Sequence, residues 1–169
     1  TRGWIWMSKE KTERAARFHF SDEAREYFVR IGVQRNKGKS GTGMFDAYIE
    51  PYFLCMIMGI AKDKFRDPDK MTPDMIREWA SHAKEHEYLI SGLVFYQYCK
   101  ERKAKLDDRV LSLMADFFSS ERTSTYDKAA FEMMNGYAQG GFDVIREFGP
   151  VSELSDFLMI YLDELEGSL

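Results

Sequence analysis

The sequence predicts an all-α fold, a compact bundle of about six helices with little or no sheet. Three observations predict it. Apolar side chains recur at three- and four-residue spacing in one window after another, and glycine, proline and small polar residues punctuate those windows. Only Trp4-Ile5-Trp6 and Phe18-His19-Phe20 have a strand-like pattern, and each is too short to build a sheet. With 169 residues, 44% of them hydrophobic, the length fits a single helical domain spanning 1–169 that buries its own core.

Ser21 is a good N-cap, Asp22 and Glu23 suit the positive end of a helix, and Ala24, Tyr27, Phe28 and Ile31 form one apolar face. Gly32 stops that helix. A second helix begins near Phe45 or at Pro51 and runs to about Lys62; Phe53 to Met58 and Ile60 leave it almost no polar face, which places it at the centre of the core. Thr72-Pro73-Asp74 opens a third, whose apolar series Met75, Ile76, Trp79, Ala83, Ile90, Leu93 and Val94 continues to about Lys103, interrupted near Ser91-Gly92. The next follows Asp107 and buries Val110, Leu111, Met114, Phe117 and Phe118. Ala129, Ala130, Met133, Met134, Tyr137 and Ala138 mark a fifth, with Gly140-Gly141 as a break or a close-packing point. Gly149-Pro150 closes it, and Ser152 caps a last helix with the stripe Leu154, Phe157, Leu158, Tyr161, Leu162 and Leu165.

Composition excludes several classes. No apolar run approaches the ~18 residues that span a bilayer, and the first residues lack the basic-then-apolar order of a secretion signal, so a cytoplasmic protein without membrane contact is expected. Cys55 and Cys99 form neither a disulfide framework nor a zinc pattern; both read as buried, reduced thiols rather than nucleophiles. No cofactor is implied. The formal charge of −4 conceals a separation: residues 1–43 hold ten basic and five acidic side chains, a balance of +5 that leaves −9 for the rest. Residues 143–169 alone carry seven acids and one base. A bipolar surface of this kind suits an anion at one end and a basic partner at the other, or head-to-tail self-association.

Candidate sites follow from these features. The basic N-terminal arm, residues 1–20, and the Gly-rich loop, residues 33–43, flank Arg30, which together with Arg35, Lys37 and Lys39 of the loop offers contacts for an anion or a DNA phosphate backbone. Gly32 to Ser40 imitates a phosphate loop, but five residues separate its first Gly from Gly38-Lys39-Ser40 where four are required, and a helix precedes it where a strand is required. Trp4 and Trp6 need burial that a partner chain could supply, and Asp163 and Glu164 lie in the acidic C-terminal stretch that would dock one. His82-Ala83-Lys84-Glu85-His86 places two imidazoles on one helical face around a Glu, which makes His82, Glu85 and His86 the alternative metal site of a hydrolase, short of a third ligand. Asp63, Asp67 and Asp69 lack the glycine and distant Glu of a calcium loop.

The segment Phe20-Ser21-Asp22-Glu23-Ala24-Arg25-Glu26-Tyr27-Phe28 resembles the opening of the small helical accessory component of bacterial DNA sulfur-modification systems. Pro51-Tyr52-Phe53-Leu54-Cys55-Met56-Ile57-Met58-Gly59-Ile60-Ala61 and Asn135-Gly136-Tyr137-Ala138-Gln139-Gly140-Gly141-Phe142 are similar to small helical proteins encoded beside phage-defence and DNA-modification genes. The resemblance implies a non-catalytic subunit that works with ATPase or nuclease partners on DNA, and it transfers no functional residue. The expectation is therefore a helical interaction subunit of a prokaryotic multi-protein assembly. A metal-dependent hydrolase and a homo-oligomeric structural protein are the alternatives.

Overall fold

A computed structural model describes residues 18–31, 45, 48–67, 87–104, 110–118 and 126–168 of the chain. The described residues form six α-helices: α1 (Asp22–Arg30), α2 (Ile49–Ala61), α3 (Glu87–Glu101), α4 (Val110–Phe117), α5 (Lys128–Ile145) and α6 (Leu154–Glu166). A 3-10 turn, Arg146–Phe148, extends α5, and no strand occurs among the described residues. The fold is all-α, as the periodicity predicts.

Local chemistry accounts for several helix ends. Ser21 accepts a hydrogen bond from the Ala24 amide at 3.1 Å and Asp127 one from the Ala129 amide at 3.1 Å, each satisfying a donor that the first turn leaves open. α2 begins at Ile49, so Pro51 falls within the first turn, where its missing N–H costs no helical bond. At the other end of α2, the Lys64 amide donates to the Gly59 carbonyl at 2.8 Å and the Asp63 amide to Ile60 at 3.2 Å, with Asp63 left-handed at φ 51°. α3 ends in the same way through Lys103, at φ 50°.

The centre of the molecule is the crossing of α2 and α5. Gly59 faces the Tyr137 carbonyl, Gly141 faces the Cys55 carbonyl, and a Cβ on either glycine would overlap those backbone oxygens. Gly140 and Gly136 receive the chain that leaves α2: the Lys64 carbonyl lies on the first, the Phe65 ring on the second, and the Arg66 amide donates to the Gly136 carbonyl at 3.1 Å. Around this crossing the core is aromatic. Phe18 meets Tyr52, Phe53, Tyr126 and Phe131 edge to face, and Phe28 meets Phe45 and Phe157 likewise, the arrangement ring quadrupoles favour. Phe157 and Tyr161 seat α6, and the Tyr161 hydroxyl donates to the Leu54 carbonyl at 2.8 Å. Phe117 seats α4 against Phe95, Tyr98 and Tyr126, and an antiparallel bridge joins Phe118 to Tyr126.

Several expectations require correction. α3 runs unbroken through Ser91-Gly92, because the buried Ser91 hydroxyl is paired with the Tyr126 hydroxyl at 2.6 Å and does not compete for the helix backbone. Gly140-Gly141 is a close-packing point inside one helix, not a break. Ser152 does not cap α6: the cap position is Glu153, which makes no side-chain hydrogen bond to the helix. Met114 and Leu162, expected in the core, are exposed, since α4 and α6 each offer the core a narrower stripe than their apolar content suggests. The helix start at Thr72-Pro73-Asp74 lies outside the described residues.

Candidate docking surfaces

The sequence-predicted site residues fall into two groups. Arg30 is exposed at the last position of α1, while Asp163 and Glu164 lie in α6. Trp4, Trp6, Arg35, Lys37, Lys39, His82, Glu85 and His86 lie outside the described residues, as does Asp69. The structure separates the two acids on α6. Glu164 turns towards the end of α2 and pairs with Lys62 at 2.5 Å, whereas Asp163 faces outward.

Two polar arrangements lie inside the bundle. In the first, the Tyr137 hydroxyl donates to Glu101 Oε1 at 2.6 Å and accepts from Gln97 Nε2 at 2.8 Å, which ties α5 to α3. The second is a row on α5 at four-residue spacing, Asn135, Gln139 and Asp143. Asn135 Oδ1 accepts from the His19 amide at 2.8 Å and the Tyr52 hydroxyl at 2.7 Å, and Asp143 accepts from Arg66 Nη2 at 2.8 Å. Between them Gln139 is buried, and among the described residues neither its amide oxygen nor its amide nitrogen has a hydrogen-bond partner.

The buried thiols and phenols are poorly suited to acid–base or nucleophilic work near neutral pH. Burial pushes the Cys55 thiol well above its usual range, and it raises Cys99 against the opposing pull of Arg102. Burial also raises Tyr126 to about 12, and Tyr137 to about 12 with the Glu101 hydrogen bond adding to the shift. Both cysteines are buried and free, as the sequence implies. Among the described residues no group of three His, Cys, Asp or Glu side chains could hold a metal ion. No described helix is long and apolar enough to cross a membrane.

The outer surface is more informative. Of the ten large hydrophobic side chains exposed among the described residues, four belong to α3 and three to α6, so these two helices hold most of the apolar surface that the bundle leaves uncovered. On α6, Phe157 and Tyr161 point inward, while Met159, Ile160 and Leu162 face out among Asp156, Asp163 and Glu166. On α3 polar and apolar side chains share both sides, with Val94, Tyr98 and Cys99 buried beside two polar groups. Ser91 and Gln97 are buried and hydrogen-bonded, while Tyr88, Leu89, Leu93 and Tyr96 face solvent, Tyr88 at 87% and Leu89 at 76% exposure. Apolar periodicity alone hides this face, because it places Leu93 with Val94 in one inward series. The signal that could reveal it is the pair Ser91 and Gln97 on the side opposite Leu89 and Tyr96.

No protein-family model, curated protein or solved structure matches the chain. The surface chemistry therefore carries the functional reading.

Proposed function

We propose that the chain is a non-catalytic helical interaction subunit of a prokaryotic multi-protein assembly that handles DNA. The single observation that carries this reading is the outer face of α6, where Met159, Ile160 and Leu162 stand exposed among Asp156, Asp163 and Glu166, with no basic residue in the helix. An apolar stripe edged by one sign of charge suits a complementary protein surface: the apolar contacts supply affinity, and the carboxylates steer and orient a basic partner. The Lys62–Glu164 ion pair on the inner side leaves that outer face to Asp163 and its neighbours. The DNA context is supported by the family resemblance and by the +5 balance of residues 1–43.

The test is tandem purification from the native host of the full chain and of a variant carrying Met159→Ser, Leu162→Ser and Asp163→Lys. The three positions are exposed, so the variant folds. The reading requires a basic partner chain that the wild type retains at low salt and the variant loses. Equal retention of every chain by both proteins would exclude the α6 face. For DNA, replacing Arg35, Lys37 and Lys39 together lowers the steepness of log affinity against log salt by about 3 for duplex, at roughly one for each phosphate no longer neutralised. Unchanged salt dependence would remove those three residues from the interface.

A further inference from the structure

Among the described residues nothing packs closely enough on Gly92 to require a glycine there. A Cβ built on Gly59, Gly136, Gly140 or Gly141 would strike backbone or a ring, whereas one on Gly92 meets nothing within 4 Å. Glycine in a helix interior weakens the helix relative to alanine, and α3 obtains no internal packing in exchange. The residues on either side are Tyr88, one turn before, and Tyr96, one turn after, with Leu89 and Leu93 beside them, all exposed. This face therefore places a notch between two large rings on a helix whose other side buries Ser91, Val94, Gln97 and Tyr98.

We propose that this face joins two copies of the chain, α3 packing antiparallel on α3 about a two-fold axis at Gly92. The spacing is self-complementary: Tyr88 and Tyr96 lie four residues either side of Gly92, so the two-fold brings Tyr88 of one copy beside Tyr96 of the other. The glycine lets the two backbones approach, and antiparallel packing sets the positive end of each helix dipole by the negative end of its mate. Size agrees as well. The four side chains expose on the order of 500 Å² per copy, so their complete coverage by pairing would bury about 1,000 Å² in total, the threshold for a specific interface, with the flanking polar residues of α3 adding the rim. The interface is separate from the α6 face and is formed by the purified protein alone.

Sedimentation of the untagged full chain tests it directly. The expected species is a dimer, twice the 19.8 kDa chain, that becomes a monomer in the double variant Leu89→Glu, Tyr96→Glu while helical circular dichroism is kept. A second variant reports on geometry. Gly92→Cys should cross-link to itself with oxidised glutathione at least tenfold faster than Ser155→Cys on α6, since Cys55 and Cys99 are buried. A wild type that stays monomeric at high micromolar concentration overturns the proposal, as does a dimer that the double variant leaves intact. Equal cross-linking at positions 92 and 155 places the dimer interface elsewhere and overturns it too. Because the purified chain is measured alone, these outcomes do not depend on the α6 reading.

Discussion

Gly141 lies against Gly59 where α5 crosses α2, so closely that a Cβ on Gly141 would stand 2.5 Å from the Gly59 amide nitrogen and inside the Cys55 carbonyl. Both obstacles are backbone, which cannot rotate away as a side chain can. Gly141→Ala therefore forces the two central helices apart, and its gain in helix propensity, about 1 kcal/mol, is overtaken by a repacking cost of about 3 kcal/mol. Urea unfolding gives the check: the midpoint falls, and an unchanged midpoint would mean that the helices do not cross at these glycines.

The Tyr137 hydroxyl bridges Gln97 and Glu101 while its ring packs edge to face on Phe65. Tyr137→Phe keeps the ring and leaves the buried Gln97 amide without that acceptor, at a cost of about 1–3 kcal/mol. Adding Gln97→Leu removes the orphaned group and should restore part of the loss. A double-mutant cycle measured by denaturant unfolding reads the coupling, and strict additivity would show that the bridge contributes nothing.

Alkaline stability follows from the same tyrosines. Tyr126 and Tyr137 are both raised to about 12, mainly by burial, from an unfolded value of 10.0. Between these limits the unfolded chain loses protons that the folded chain keeps, so the stability they confer is present below pH 10 and declines as pH rises towards 12. The urea midpoint should be flat in this respect up to about pH 9 and then drop, with a shallower drop in Tyr137→Phe. A midpoint constant through pH 11, or a slope identical in the variant, would contradict the assignment.

Gln139 tests the opposite kind of change. Its amide is buried between Asn135 and Asp143 with no hydrogen-bond partner among the described residues, so desolvation is uncompensated there. Gln139→Met keeps the length and removes both polar atoms, and it should stabilise the fold by about 1 kcal/mol. A rise in the thermal midpoint is expected. A fall would show that the amide is bonded in solution, to water or to a ligand.

The sequence is legible wherever the cause is local. Ser21 and its two following acids mark the start of α1, the nearly unbroken apolar run marks α2 as central, and the burial of Cys55 and Cys99 follows from their neighbours. It misleads where a distant partner decides the outcome. Ser91 looks like an interruption until Tyr126 supplies its hydrogen bond, and Leu162 looks like core until Phe157 and Tyr161 fill the inner side of α6. The acids of the C-terminal stretch are legible as a group, yet only the folded chain divides Glu164, paired with Lys62, from Asp163.

By itself, then, the sequence determined the helical class, most of the helices, the Ser21 cap and the charge separation, because helix propensity, capping and periodicity act over a few residues. The tertiary structure decided which glycines are contacts and which is a gap, and which apolar side chains remain in water. Those outcomes depend on where a second helix lies, at separations such as that between Cys55 and Gly141, and no local rule reaches across them.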